Sequence, residues 1–521
     1  MTVKVTKTKI LGKIPVLYRF CEQMHLPQII DDIVPEKQRA DNSITIGQLI
    51  TVLVINRLTE PIPFYKVTEW VEKTGFSELL HVPAEYFTDD RLSRALDYMF
   101  IYWEKIMNKV VIFCIETFSI DPSLIHYDIT SLYFEGRYED SDFITYGYNR
   151  DQKPDKKQVN LGINMLDKES FPLLWQVFPG KTNDTDTVVK NLDALRSLLG
   201  TRPFIFIGDR AMISEDIVKY SSKYNVSIIA PLKDMLSTTR LLETIKKEDL
   251  VESILDKKKE TEIYKLGEYE IRYSDDVDSP DIRAVVVWSK RKSDTIKFQR
   301  EKKINDRDTN LKLLKEKLNK PYYRTRVSIE KKIAKIMKNE PINDLFTVQL
   351  AGSDHALTLE WIIDENAKHD LEQKDGFYIL GTTTSQAQLS TLEVFKAYKR
   401  QYISESTFKN LKTTIGIRPM FLQIEQRIFG LVQITLLGLC VYTLLEIQLH
   451  RHDFKITTKR MFELFVGFIL IQILLPDKTL EFQVGPLRQL ELDILKALSL
   501  EETEDWILRH VEQNYSFQNY S

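Results

Sequence analysis

The stretch SLIHYDITSLYFEG, residues 123–136, decides the predicted fold, because it has the composition of a β-strand and carries one acid near its middle. β-branched and aromatic residues surround Asp128, and Gly136 closes the stretch. A charge among apolar neighbours costs free energy unless it is paired, so a partner for Asp128 is expected. The plainer alternative is that Asp128 lies at a turn or at the edge of a sheet.

The segments that follow extend this strand into an α/β unit. Two further strands are predicted in VNLGINML (159–166) and LLWQVFPG (173–180), followed by a helix over 186–199. A buried strand is predicted in RPFIFIGDRAM, ending at Gly208 and Asp209, and then a helix over 214–224 and a strand in VSIIAPL. Three antiparallel strands, a helix and a buried strand with an acid at its end are the order of a ribonuclease-H-like core. The predicted fold class is therefore α/β, with this core interrupted by a β-rich insertion.

Outside the core, the sequence predicts helical regions at both ends of the chain. Apolar residues recur at helical spacing before residue 118, and Thr88 or Asp89 is the expected cap of a helix beginning near Arg91. This region is expected to bind DNA ends or to dimerise, and the alternative is a packed helical lobe without a ligand. The predicted division is a helical N-terminal domain (1–118), the first part of the catalytic core (119–235), a β-rich insertion with a basic helical segment (236–375), the second part of the core (376–450) and a C-terminal helical region (451–521).

Residues 391–418, TLEVFKAYKRQYISESTFKNLKTTIGIR, are predicted to form one helix. Seven residues make almost two turns, so Tyr398, Glu405 and Lys412 would share one face. A hydroxyl, a carboxylate and an ammonium group in a column suit a metal ion with a phosphate beside it. The plainer alternative is a surface helix in which Glu405 pairs with Lys409.

Asp128, Asp209 and Glu405 are the candidate metal ligands. Asp209 follows a predicted strand, at the end where α/β folds bind ligands, although it could simply cap the helix after it. Three carboxylates offer only hard oxygen donors, which favour Mg²⁺ or Mn²⁺ over zinc. Two such ions can activate an attacking oxygen and stabilise a leaving one in phosphodiester chemistry.

Charge is unevenly distributed along the chain. The formal net charge is −3, yet residues 290–340 contain 18 Lys and Arg against seven Asp and Glu, a local excess of +11. This basic run is helical by propensity and interrupted at Pro321. It is expected to contact DNA phosphates, and the alternative is a solvated helical hairpin.

Three widely spaced cysteines without a metal-binding pattern predict a reduced, cytosolic compartment. The opening residues lack the apolar segment of a signal peptide. Two apolar stretches, 428–445 and 464–475, are predicted to be buried core helices, with a membrane segment as the alternative.

Several blocks together resemble the DDE transposases of prokaryotic insertion sequences, in the cut-and-paste group with the YREK signature and most closely its sixteen-thirty-four-type branch. The resemblance runs from about residue 15 to 450, and its motifs are specific only in combination. The blocks that carry it are HYDITSLYFEG with GYNRDQKPDKKQVNLGI, FPGKTNDTDT, GDRAMIS, DGFYILGTTT with YKRQYISESTFKNLKTTIGIRP, and the N-terminal LPQIIDDIVP, SITIGQLITVLVINRL and YKVTEWVEKTG.

The resemblance implies that Asp128, Asp209 and Glu405 are the catalytic, metal-binding acids, holding two Mg²⁺ or Mn²⁺ ions. It implies DNA contacts from Tyr398 and Lys412 beside the scissile phosphate, with Arg210 as a further candidate. The signature's arginine should stand at Gln401, and Arg400 lies one residue early. Gln401 can hydrogen-bond a phosphate without adding charge, so the DNA contacts at this position are expected to be weakened.

The family resemblance also implies an activity and partners. Metal-activated water would cleave at the inverted-repeat ends of a transposon, and the freed 3′-hydroxyl would attack target DNA. The expected partners are these DNAs and a second copy of the chain, without a membrane, in the prokaryotic cytoplasm at the nucleoid. Two other functions stay open: a catalytically inactive relative that binds DNA, and a metal-dependent nuclease with a ribonuclease-H-like core.

Overall fold

The computed structural model describes residues 4–35, 44–136, 138–139, 141–254, 262–276, 278–337, 341–417 and 422–518. Residue contacts group the chain into two compact units. We call Met1–Ile207 with Arg400–Ser521 the terminal unit, and Gly208–Lys399 the inserted unit. Both units contain helices and strands, so the fold is mixed α/β. The predicted five-part division remains a prediction at a finer level.

The terminal unit begins with one strand and continues as six helices, in the region where apolar periodicity predicted helices. The side chain of Thr45 accepts the amide of Gln48 and the Gln48 side chain accepts the amide of Thr45, which starts the third helix with a capping box. Thr88, rather than Asp89, caps the sixth helix. The elements are β1 (Lys4–Ile10), α1 (Ile14–Gln23), α2 (Leu26–Ile33), α3 (Ile46–Thr59), α4 (Val67–Thr74), α5 (Phe76–Leu80) and α6 (Asp89–Thr117).

The predicted three-stranded meander follows and is confirmed. The strands β2 (Leu124–Tyr133), β3 (Gln158–Leu166) and β4 (Pro172–Pro179) pair antiparallel in sequence. After α7 (Thr185–Leu199), the short strand β5 (Ile205–Ile207) pairs parallel with β2, which gives the order β4-β3-β2-β5. Every residue of β3 is buried, so both faces of this sheet are covered.

The inserted unit is built on an antiparallel sheet with the order β6-β12-β9-β8-β7. It has two apolar clusters: one lies around this sheet, and the other joins the basic helices to a separate β10–β11 hairpin. Its elements are α8 (Glu215–Tyr224), β6 (Ser227–Pro231), α9 (Leu236–Thr244), β7 (Val251–Ile254), β8 (Ile263–Arg272), β9 (Asp281–Ser289), α10 (Lys290–Lys317), α11 (Arg326–Met337), β10 (Phe346–Ala351), β11 (Thr358–Ile363), α12 (Glu365–Lys374), β12 (Phe377–Thr382) and α13 (Thr391–Lys399).

The last part of the chain returns to the terminal unit. Its elements are α14 (Tyr402–Lys409), a π-helical turn (Asn410–Thr414), α15 (Glu425–Arg451), α16 (Thr458–Leu464), β13 (Ile469–Leu474), β14 (Leu480–Val484), α17 (Gln489–Ala497) and α18 (Thr503–Gln518). The helix predicted over 464–475 is wrong, because its alternating, β-branched residues form β13. This strand pairs antiparallel with β1 on one side and β14 on the other.

The helix α15 is the apolar centre of the terminal unit. By length and composition it could cross a membrane, and 89% of its most apolar window is buried inside the protein, as predicted for a core helix. It packs on α6 and α3. Its buried Gln433 is satisfied, since Oε1 accepts a hydrogen bond from Trp175 Nε1 at 2.6 Å.

Two glycines of α15 test how closely this helix is packed. A Cβ atom at Gly430 would lie 2.4 Å from the carbonyl oxygen of Leu96 in α6, and backbone cannot rotate away. At Gly438 the nearest atoms are side-chain carbons of Leu58 at 3.6 Å, an ordinary contact. Gly430→Ala should therefore lower the free energy of unfolding by about 1–3 kcal/mol. Gly438→Ala should be neutral or stabilising by up to about 1 kcal/mol, because alanine favours helix.

Thermal melting of the two purified variants measures this difference. Both substitutions add the same methyl group to the same helix, so they differ only in what the methyl group meets. Equal melting temperatures for the two variants would contradict the close crossing of α15 and α6.

Candidate active site

Asp128 lies in the middle of β2, as predicted, and not at a turn. The parallel pairing of β2 with β5 ends where His126 lies opposite Ile207, so Asp128 stands just past the carboxyl end of β5. Such strand ends open the crevices in which α/β folds bind ligands. The side chain of Asp128 is half-buried, and its Oδ1 accepts the amide of Ile129 at 2.7 Å.

Glu405 is carried to the same sheet by α14. This helix packs on β2 and β3 through a buried side that includes Ile403 and Phe408, while Glu405 itself is exposed. Within the described residues, no ion pair joins Glu405 to Lys409, which was the plainer explanation of this acid. The structure thus places the helix of Glu405 against the strand of Asp128.

The predicted single helix over 391–418 is wrong. It is broken at Arg400 and Gln401, where the amides of Ile403 and Ser404 bond to the carbonyls of these two residues, three positions back. A second irregularity follows, since Lys412 lies within a π-helical turn, in which hydrogen bonds join residues five apart instead of four. Residue 418 lies outside the described residues.

The break separates the members of the predicted column. Tyr398 belongs to α13 in the inserted unit, whereas Glu405 and Lys412 belong to the terminal unit. Gln401 occupies the N-cap position of α14 and makes no capping hydrogen bond with its side chain. A face shared by Tyr398, Glu405 and Lys412 on one continuous helix is therefore excluded.

The start of α14 is held by a buried carboxylate that the sequence did not single out. Asp167 Oδ1 accepts hydrogen bonds from Arg400 Nε at 2.7 Å and from His126 Nε2 at 2.7 Å. The side chain of Asp167 is 2% exposed and that of His126 is fully buried. Because His126 is in β2, these two hydrogen bonds to Asp167 fix the beginning of α14 relative to the strand of Asp128. Arg400, a predicted DNA contact, is thus engaged within the protein.

Lys412 is also paired within the terminal unit. Its Nζ lies 2.9 and 3.0 Å from the two carboxylate oxygens of Asp151, and its side chain is 14% exposed. A second pair of this kind joins Arg150 to Asp184. Asp151 and Arg150 come from GYNRDQ and Asp184 from KTNDTDT, so the sequence blocks had marked these residues without showing their partners.

Asp209 is the second residue of the inserted unit, two positions after β5 ends. Its Oδ1 accepts the amide of Ala211 at 2.8 Å and caps the short 3₁₀ turn at Arg210–Met212, so the capping alternative is observed. A carboxylate has about four lone-pair positions, and capping leaves others for a ligand.

A cavity of about 710 Å³ within the inserted unit brings Asp209 together with Tyr398 and Arg210. Burial raises the pKa of the Tyr398 hydroxyl, and the negative charge of Asp209 raises it further, so Tyr398 stays protonated as a hydrogen-bond donor. Arg210 donates from Nε to the carbonyl of Leu232 at 3.1 Å and pairs with Asp234 at 2.6 Å. The pair is largely exposed and contributes little to stability, so a phosphate can replace Asp234.

Comparison with known proteins assigns most of this chain to one family. A family model described as Transposase DDE domain matches residues 115–441, which include all eight candidate site residues. The chain belongs to the transposase DDE family. A second model, described as Domain of unknown function (DUF4277), matches residues 6–112.

Comparisons of the transposase with curated proteins and with solved structures do not refine this family assignment. No curated protein matches it. Among solved structures, the cryo-EM structure of a piggyBac transposase synaptic complex with hairpin DNA (SNHP) is similar at 9% identity, covering 90% of this chain and 82% of that chain. The TM-score is 0.39, and a likeness of that size supports no inference.

Transposases of this family generally use divalent metal ions, and the acids of the chain suit them chemically. Asp128 and Glu405 lie on elements of one unit that pack together, and Asp209 lies in the other unit. Among the residues described, no three His, Cys, Asp or Glu side chains form a group that could hold a metal ion. The donor chemistry of these carboxylates fits Mg²⁺ or Mn²⁺.

Asp167→Asn tests whether the buried carboxylate stabilises the transposase. Burial acts to raise the pKa of Asp167, but the hydrogen bonds and charges of His126 and Arg400 outweigh it and hold the pKa below its ordinary value. Removing the charge should lower the free energy of unfolding by about 2–4 kcal/mol at pH 7, measured by urea denaturation. Asp155→Asn, at a side chain 71% exposed, should change it by less than about 0.5 kcal/mol.

The same pair of proteins gives a pH test. A depressed carboxyl pKa stabilises the folded state above the ordinary value of about 3.9, and this contribution is lost as the pH falls through the folded-state pKa. The difference between wild type and Asp167→Asn should shrink as the pH falls below about 4. A difference that grows as the pH falls from about 5 to about 3, where the Asp167 carboxyl titrates, would contradict the assigned ion pair.

Proposed function

We propose that the chain is a metal-dependent DNA transposase that cuts at the inverted-repeat ends of its element and joins the freed 3′-hydroxyls to target DNA. The observation that carries this proposal is the family match over residues 115–441, within which the helix that carries Glu405, α14, packs on the strand that carries Asp128. The motif blocks further support the YREK-signature group of prokaryotic insertion sequences, in its sixteen-thirty-four-type branch.

The proposed catalytic acids are Asp128, Asp209 and Glu405, on a ribonuclease-H-like core. The sheet order β4-β3-β2-β5, with β5 parallel to β2 and α7 between β4 and β5 in sequence, supports such a core. Two Mg²⁺ ions held by these acids would activate the attacking oxygen and stabilise the leaving oxygen of the phosphodiester. The carboxylates supply the negative charge for this, and half-burial of Asp128 and Asp209 strengthens their attraction for cations.

The cations of the site are proposed to bind the DNA strand by exchanging partners. Lys412 and Arg150 are held by Asp151 and Asp184, in positions near β2 and the start of α7. A phosphate can take the place of either carboxylate, so these cations are already oriented when DNA arrives. Tyr398, protonated beside Asp209, would donate a hydrogen bond to a phosphate oxygen.

The assembly proposed is a dimer that brackets two transposon ends and acts on the nucleoid in the prokaryotic cytoplasm. The resemblance to insertion-sequence transposases supports this arrangement.

Substitution of each acid tests the proposed chemistry. Asp128→Asn, Asp209→Asn and Glu405→Gln should each reduce Mg²⁺-dependent cleavage of a duplex carrying the element's ends by at least about 10³-fold, because each removes one metal ligand. Binding of the same duplex in EDTA should change by less than about threefold. Asp155→Asn, an exposed acid in the same family block, is the matched control and should cleave like wild type.

The products of the wild-type protein separate this function from its rivals. Joining of cut ends into a plasmid supports transposition. Nicking without joining would indicate a nuclease, and binding without any cleavage would indicate an inactive DNA-binding relative. Full cleavage by any one acid variant removes that residue from the proposed site.

Lys412→Gln tests the proposed phosphate contact. Cleavage should fall by about tenfold or more, because a charge-assisted hydrogen bond contributes roughly 1.5–3 kcal/mol. Lys409→Gln is the matched control, since Lys409 is an exposed lysine three residues away whose side chain forms no ion pair with any described residue. Equal rates for the two variants would make Lys412 a purely structural partner of Asp151.

A further inference from the structure

The inserted unit contains a basic cleft whose lining residues include none of the proposed catalytic acids. A cleft of about 660 Å³ lies between α10 and α11. Five of its lining side chains are Lys or Arg and one, Asp306, is acidic. Part of the excess positive charge of residues 290–340 therefore lines this one cleft.

The cleft is built on a packed base. Along α10 the buried residues Arg300, Ile304, Arg307, Leu311 and Leu314 recur at intervals of three and four, the spacing of helices that pack side by side. The apolar members contact Ile329 of α11 and the β10–β11 hairpin in one cluster. The turn between the helices is fixed to that hairpin by two hydrogen bonds between Asn319 and Leu357.

Three lysines line this cleft, and two of them lie near one aromatic ring. The Nζ atoms of Lys332 and Lys317 lie 4.4 and 6.0 Å from the ring centre of Tyr323. Lys335 follows Lys332 by nearly one turn of α11 and lines the same cleft. In the described part of the chain, none of these three lysines forms an ion pair with a carboxylate. Like charges brought together in this way repel each other, and an anion between them would relieve the repulsion.

We propose that this cleft binds the sugar-phosphate backbone of DNA without reading its sequence. Phosphates would lie between Lys317, Lys332 and Lys335, and the ring of Tyr323 would contact the deoxyribose. The choice of DNA among polyanions rests on the proposed function. The binding itself needs none of the proposed catalytic acids and no metal ion, so it can be measured apart from cleavage.

Two triple variants of the full chain test this proposal. The cleft variant reverses the charge of three lysines that line the cleft: Lys317→Glu, Lys332→Glu and Lys335→Glu. The control variant changes the net charge equally at three exposed lysines of the same region that do not line the cleft: Lys302→Glu, Lys320→Glu and Lys331→Glu. A Lys→Gln version of the cleft triple guards against misfolding caused by charge reversal. Melting curves matching wild type show that each variant is folded.

The measurement is equilibrium binding of a labelled duplex that lacks the element's ends, in EDTA, from about 50 to 200 mM NaCl. The cleft variant should bind at least about tenfold more weakly at low salt. Its plot of log affinity against log salt should be shallower by roughly 2–3, because each phosphate contact contributes a slope of about −0.9. The control triple should lose less than about threefold and should keep most of the wild-type slope.

Equal losses for both triples, or no loss for the cleft variant, would overturn the proposal. Loss of binding to an RNA duplex with unchanged DNA binding would also overturn it, in favour of RNA. Cleavage of the element's ends by wild type is followed in parallel with Mg²⁺. Wild-type cleavage with unaltered DNA binding by the cleft variant refutes this inference alone, whereas cleft-dependent binding without wild-type cleavage refutes the proposed function alone.

Discussion

The buried carboxylate of Asp167 needs hydrogen-bond donors, and the surroundings of the proposed acids in the terminal unit follow from how that need is met. His126 approaches it from β2, two residues before Asp128, and Arg400 approaches it at the start of α14, five residues before Glu405. The carboxylate of Asp167 therefore links β2 and α14, the two elements of the terminal unit that carry proposed catalytic acids. Because breaking a buried ion pair leaves an uncompensated charge, this link resists local opening.

Charge pairing also governs how DNA would enter. Lys412 and Arg150 are already bound to Asp151 and Asp184, so phosphate binding exchanges one anion for another. The binding free energy gained per phosphate contact is then smaller than for a cation without a carboxylate partner. The side chains lose less conformational entropy, however, because they are already ordered. Lys317 and Lys332, in the inserted unit, have no such carboxylate partner among the described residues and would gain more from each phosphate. The two units thus offer cations of different kinds.

Much of the fold could be predicted because strand and helix periodicities agree with the final packing. The meander through Asp128, the strand before Asp209 and the basic helices all formed near their predicted positions. The prediction of one helix over 391–418 was wrong because of a tertiary contact. No Gly or Pro marks the break, and Arg400 is hydrogen-bonded to Asp167, 233 residues away in sequence. The prediction of a helix over 464–475 was wrong because a short apolar run is compatible with either a helix or a strand, and its pairing with β1 and β14 could not be known from the sequence. The sequence blocks marked Asp151 and Asp184, but pairing across such distances cannot be predicted from one sequence.

The pairing of β1 with β13 has a consequence for synthesis on the ribosome. The terminal unit is made in two instalments, and the whole inserted unit, residues 208–399, is translated between them. At about 5–20 residues per second, roughly 10–40 s pass before α14 and α15 emerge. Until α15 emerges α6 lacks the helix that covers it, and β1 waits longer still for its neighbour β13, so the nascent chain exposes an apolar surface and an unpaired strand edge of the kind that chaperones recognise.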